Sequence, residues 1–252
     1  ELPQSVGRYQ FTHALIQETL AEELSLTRRV RLHARIAQAL EDLYGDDSEA
    51  HAAELAQHFA QVQTVLGTEK LVHYSLLAGK RALSARAYEE AEAHSQRGLV
   101  GKGVALTGTE PAPDGQSAAL LSCLGQAQVG TLSRFGGIAA LTTFTRAFDY
   151  YVSVGEVAHA VGIAAYATPI NTGLELIEKA LELVPPDSHD AGRLLSRSIT
   201  SLRSEHERAQ EAIHGALAIA RQQQDRELEM RTLVSAACVD ISLCRFRECL
   251  EH

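Results

Sequence analysis

Tryptophan is absent from this 252-residue chain, and aromatic residues make up only 5% of it although 45% is hydrophobic. A thick sandwich core built on large rings is therefore disfavoured, and the dominant Ala and Leu suit helices packed at close range. Cysteine is sparse. Cys123, Cys238, Cys244 and Cys249 contain no CxxC pair, so the spacing offers no paired metal framework. Reduced, mostly buried thiols in a cytoplasmic protein are the expectation. No apolar run reaches the roughly 18 residues that a membrane span needs, and no signal-peptide layout opens the chain. An excess of positive charge is missing too. The net charge is -9, whereas duplex-binding domains carry a basic footprint, so neither nucleic acid nor membrane is expected as a partner. The chain starts without Met and ends Leu250-Glu251-His252, expected to be a vector-encoded tag remnant on an excised piece of a longer protein.

What is present is helical periodicity. After a possible strand end at Tyr9-Gln10-Phe11, Thr12 is placed to cap a helix with Leu15, Ile16, Thr19, Leu20 and Leu24 on one stripe. Ser25 is expected to cap a longer helix to about Tyr44, with Val30, Leu32, Ile36, Ala39, Leu40 and Leu43 read as inward. Gly45-Asp46-Asp47-Ser48 breaks it, and a helix is expected over 49–62, with Ala52, Leu55, Ala56, Phe59 and Val62 on one face. Residues 69–99 read as two helices jointed near Arg86, crossing where Gly79 meets Ala91. Residues 101–115, rich in Gly, Pro, Thr and Asp, are the expected flexible junction.

Helical hairpins then repeat. Leu121, Leu124, Gly125 and Gln128 lie on a first helix, and Ala140, Phe144 and Ala147 on a second. Residues 157–168 and 173–184 form the next pair, 190–201 and 205–223 another, the last with Ala209, Ile213 and Ala216 at the same small–bulky–small offsets. A final first helix is expected over 225–244, followed by the start of a second at Phe246-Arg247-Glu248-Cys249. The best-formed second helix is Gly173–Pro186, where Gly173 and Ala180 flank Ile177 and two prolines end the run. The leading small residues Ala91, Ala140, Gly173, Ala209 and Cys249 recur at intervals of roughly 30–50 residues, as in a helical solenoid. The expected fold class is all-α: a right-handed α-α superhelix of about five degenerate hairpins.

Leu121-x2-Leu124-Gly125-x2-Gln128 and the Gly173, Ile177, Ala180, Pro185 series resemble tetratricopeptide repeats (TPR), with Leu for Trp and Gln for Tyr in the first helix. Tyr9-Gln-Phe11-Thr-His13-Ala-Leu15-Ile-Gln-Glu18, then Arg28-Arg29, Leu32-His33, Ile36-Ala37 and Leu40-Glu41, resemble the junction between ATPase and repeats in bacterial STAND-class signalling ATPases. Leu55-Ala56-x-His58-Phe59 and Tyr74 resemble the first repeats beyond it. The resemblance implies a winged-helix tail and linker helix at 1–45 and TPR-like helices at 46–100 and 116–249, ahead of the expected tag remnant at 250–252. It also implies a sensor or scaffold arm for an ATPase, with an output such as a LuxR-type DNA-binding or nucleotide cyclase domain elsewhere.

Several constellations invite chemistry. Gly98–Gly103 with Lys102 evokes a phosphate loop, but Gln96 stands where its first Gly belongs and Gly103 where a magnesium-binding hydroxyl belongs. His51, Glu54 and His58 share a helix side without HExxH spacing. Arg28, Arg29, Arg31 and Arg35 form a basic face that Glu18, Glu22 and Glu23 are placed to balance. Asp149, Tyr150 and Tyr151 read as core packing. No nucleophile–base pair emerges, so an enzyme and a cofactor are not expected. In TPR arrays the first helices line the concave face, and the resemblance implies His73, Lys80, Ser122 and Gln126 as its binding residues. The expected role is a non-catalytic interaction module for a protein, a peptide or the parent ATPase domain. The alternatives are small-molecule sensing and self-association.

Overall fold

Small residues at helix crossings let backbones approach, and such crossings recur along this chain. The computed structural model describes residues 23–131, 136–166 and 173–242, and all their regular structure is helical. The strand end at Tyr9–Phe11, nearly all of the helix from Thr12, and the second helix at 246–249 lie outside the described residues. Helix α1 (Leu26–Tyr44) leads through a 3-10 helix (Gly45–His51) to α2 (Ala52–Ala60) and the single turn α3 (Gln63–Leu66). Four longer helices follow: α4 (Glu69–Ser84), α5 (Tyr88–Gly101), α6 (Gly115–Gly130) and α7 (Gly136–Ser153). The rest are α8 (Val157–Ala164), α9 (Leu174–Leu181), α10 (His189–Ser198), α11 (His206–Gln223) and α12 (Arg226–Ser242). No described helix is long and apolar enough to cross a membrane.

The hairpin crossings fall where the small residues stand. A Cβ on Gly79 would come within 3.0 Å of the Cys123 sulfur and 3.2 Å of Ser95 Oγ, so α4 meets α5 and α6 at that point. Ala91 is fully buried there. Arg86 takes the left-handed conformation, φ 58°, that turns the chain between α4 and α5. In the next pair a Cβ on Gly125 would lie 2.6 Å from the Phe144 ring, which Ala140 and Ala147 flank, both fully buried. Ala209, Ile213 and Ala216 are buried along α11, and Leu176, Ile177 and Ala180 along α9. Caps start the helices where the sequence supplies short acceptors. Asp114 accepts from the Ser117 N–H at 2.9 Å and Ser188 from the Ala191 N–H at 3.1 Å.

From α4 onward each helix packs on its chain neighbours, α2 packs on α4, and α4 also meets α6, α8 meets α10, and α10 meets α12. The core is correspondingly serial. One cluster ties α1, α2 and α4 through Ala37, Leu55, Phe59, Leu71 and Tyr74. A second runs from Val72 through Phe144 and Phe148 to Ile177 and Leu194, and a third joins α11 to α12.

Three local expectations in the first helices change. Leu32, Ile36 and Leu43 of α1 are 41%, 40% and 74% exposed, and Ala39 is exposed. The packed stripe is instead Val30, Ala34, Ala37, Leu40 and Tyr44, rotated so that α1 meets α2 and α4 along small residues. Ser25 sits at the N-cap position of α1 without a side-chain bond. The break at 45–48 continues as a 3-10 helix through His51, so α2 begins only at Ala52. Residues 101–115 carry no regular structure beyond the ends of the flanking helices, and Arg146 of α7 grips them. Its Nε donates to the Glu110 carbonyl at 2.7 Å and its guanidinium to the Ala105 carbonyl at 2.9 Å, while Ala112 N–H donates to the Arg146 carbonyl at 3.1 Å.

Candidate functional site

First helices of successive hairpins present their outward polar positions side by side. Lys80 and Ser84 stand one turn apart on α4, Ser122 and Gln126 one turn apart on α6, and His159 follows on α8. Together with Leu83, Ala119, Cys123, Tyr151, Ala158, Gly162 and Ile163 they line an open groove of about 560 Å³. Three of the four anticipated residues, Lys80, Ser122 and Gln126, therefore share one site. The fourth, His73, does not line it. It lies exposed two turns earlier on α4, edge-on to the Tyr74 ring with centroids 5.0 Å apart.

The groove is built from a few fixed contacts. Gln126 Nε2 donates to Ser122 Oγ at 3.4 Å. Tyr151, only 6% exposed, stacks on the His159 imidazole with centroids 4.8 Å apart, and His159 Nδ1 lies 2.9 Å from Glu156. Tyr151 is thus both core, as expected, and groove wall. Burial raises its hydroxyl pKa, with Glu156 and Tyr150 adding to the effect. Burial likewise pushes the Cys123 thiol up, against opposing pulls from a Ser95 hydrogen bond and from Lys80. Lys80 makes no ion pair among the described residues, which leaves a single uncompensated cation beside hydroxyl, amide and apolar surface. The arrangement offers hydrogen bonds, one positive charge and a hydrophobic floor.

The other constellations resolve into local contacts. Lys102 pairs with Asp114 at 2.9 Å and donates to Gln116 at 3.2 Å, closing the end of α5 onto the start of α6. Burial opposes ionisation of Asp114, but the Ser117 bond and Lys102 prevail and hold its carboxyl below the usual range. His51 stacks on Tyr44 at 3.7 Å, Glu54 accepts from the Tyr44 hydroxyl at 2.8 Å, and His58 Nδ1 lies 2.9 Å from His33 Nδ1. Among the described residues no group of three acidic, His or Cys side chains is placed to hold a metal. Arg28, Arg29, Arg31 and Arg35 form no ion pair among the described residues. Of the cysteines described, Cys123 is buried and Cys238 exposed; Cys244 and Cys249 lie outside the described residues.

The sequence reading missed His159, Tyr151 and Gly162. The signal for His159 was available, since it occupies on the third first helix the face that Lys80 and Ser122 occupy on the earlier two. Tyr151 had none, because its ring reaches the groove from the end of a second helix. Comparison with known protein families, with curated proteins and with solved structures finds no match to this chain.

Proposed function

We propose that this chain is a non-catalytic binding module, a right-handed superhelix of TPR-like hairpins whose first-helix face takes a protein or peptide. The observation that carries the reading is the meeting of Lys80, Ser122 and Gln126, from separate hairpins, in one open groove. First helices α4 and α6, α8 and α10, and α10 and α12 touch, while the second helices α5, α7, α9 and α11 make no comparable mutual contact. Such a stack curves with its first helices inside, and the inner side is where repeat arrays bind. A groove of about 560 Å³ also falls in the size range of small-molecule sites, which favours a sensed metabolite as the second reading.

The larger context is proposed as well. The residues that resemble the STAND junction and first repeats make the α1–α2–α4 joint: His33 meets His58, Tyr74 donates to Glu41 at 2.7 Å, and Phe59 stacks on Tyr74. That coherence supports a repeat arm in a cytoplasmic signalling ATPase or transcriptional regulator, docking a partner or its own ATPase domain.

Selection of random peptides on the immobilised chain tests the reading. Enriched peptides should share a motif, bind in solution, and lose binding when Ser122→Tyr fills the groove or Lys80→Glu reverses its charge. Peptides that bind both variants as well as the parent would overturn it. Peptides failing while a metabolite is displaced by Ser122→Tyr would favour the sensor.

A further inference from the structure

Farther along the first helices a second pocket, of about 350 Å³, opens between the end of α8, α10 and α12. We propose that it binds a small organic phosphate. Tyr166, Arg193, Ser196, Arg197, Arg231 and Ser235 line it. Arg193, Ser196 and Arg197 stand on one face of α10, and Arg231 and Ser235 one turn apart on the facing side of α12, so three arginines border one space. Bringing like charges together in a partly enclosed site is unfavourable unless an anion fills it.

Two of the three arginines carry ion pairs of their own. Arg193 pairs with Asp190 at 3.1 Å and Arg231 with Glu227 at 2.5 Å, both within one turn of a single helix, the first half-buried and the second exposed. Pairs of that kind are weak and exchange readily for a better anion. Arg197 is the most enclosed of the three, its Nε donating to the Tyr166 carbonyl at 3.4 Å, and burial lowers its pKa. An independent sign comes from Ser196. Its side chain is buried, with 2% of the residue exposed, and its Oγ has no hydrogen-bond partner among the described residues. A buried hydroxyl without a partner is destabilising by itself, and this one lines the arginine pocket.

The donor set selects the anion. Guanidinium forks bind two oxygens of one group, and together with the Ser196 hydroxyl they offer more donors than a lone carboxylate accepts. A phosphate monoester has the terminal oxygens and the double charge to use them. The volume leaves room for a sugar-sized body against the Tyr166 ring.

Titration calorimetry of the 252-residue chain with inorganic phosphate, pyrophosphate and ribose 5-phosphate, at constant ionic strength, tests the assignment. The phosphates should bind saturably and ribose should not. Arg231→Gln, at a largely exposed position that the fold does not need, should weaken binding about tenfold. Ser196→Ala should weaken it severalfold while leaving the melting temperature unchanged or higher, because no internal hydrogen bond is lost. No saturable binding below about 10 mM, or binding that neither variant alters, would overturn the proposal. The pocket shares no lining residue with the Lys80 groove, so failure here leaves the peptide reading standing.

Discussion

Two glycines separate packing from propensity at the scale of single residues. Gly125 sits inside α6 where an added Cβ would be 2.6 Å from the buried Phe144 ring; Gly162 sits inside α8 with nothing within 4 Å of its Cβ position. Ala for Gly within a helix gains about 1 kcal/mol of propensity, whereas overpacking a core costs about 1–3 kcal/mol. Gly125→Ala should therefore lower unfolding stability by about 1 kcal/mol or more, and Gly162→Ala should raise it by about 0.5–1 kcal/mol. Urea titration of both decides the matter, and equal shifts in one direction would sink the packing account. Arg146 supplies a second test. Its side chain is 3% exposed, burial lowers its pKa against the pull of Glu110, and it holds the two carbonyls of the 101–115 strap. Arg146→Met should cost about 2 kcal/mol and speed amide exchange at Val104 and Ala112. Unchanged exchange there would mean that the strap is held by Val104, Leu106 and Ala112 packing alone. The sequence made Lys80, Ser122 and Gln126 legible as groove residues because side-chain periodicity fixes the face of a helix. It does not fix which turn of that face meets the next hairpin. His73, seven residues before Lys80, therefore shares its face but stands about 10 Å away along the axis.

Single elements are governed by which stripe wins when two are available. Helix α1 carries the large stripe Leu32, Ile36, Leu43 and the smaller one Val30, Ala34, Ala37, Leu40. Hydrophobicity alone favours neither, and the close approach to α2 selects the smaller, with Ala37 completely buried. The polar contacts confirm that docking: Tyr74 donates to Glu41, and burial together with that bond pushes the Tyr74 hydroxyl up to about 12. The joint should also respond to acid. Burial, and then the neighbouring His58 and Arg29, lower the pKa of His33. The folded chain thus prefers neutral His33, and just below pH 6.5 the unfolded chain binds more protons. Stability should fall as pH drops through 6.5 and level off below the folded pKa. His94, lowered by burial and then by Arg97 with Glu90 opposing, contributes in the same direction. Melting curves between pH 7.5 and 5 should show this loss, reduced but not abolished in His33→Asn. A variant that loses as much stability as the parent would remove the His33–His58 contact from the explanation.

For the molecule as a whole, local pattern was enough to read serial pairing, because Gly79 with Ala91, Gly125 with Phe144, and Ala209 with Ile213 and Ala216 mark contacts within or next to a hairpin. The pockets were not legible, since neither exists until three helices from different hairpins are in place. Helix α12 packs on α10 and α11, and its far side shows Met230, Val234 and Ile241, which are 67%, 59% and 53% exposed. These three lie at helical spacing with the exposed Cys238 between the last two. A contiguous exposed apolar stripe of this kind invites association with a second copy. The net charge of -9 opposes that association at low salt, and screening at higher ionic strength relieves the repulsion. Sedimentation velocity should accordingly show self-association that increases with both protein concentration and salt. Val234→Glu should shift it back towards a single chain without changing the melting temperature, because that side chain packs on nothing essential. A chain that stays monomeric at high concentration in about 0.5 M salt would show that the stripe alone does not drive assembly. Association that Val234→Glu leaves intact would move the contact elsewhere, and the exposed stripe of α1 would be the next surface to test.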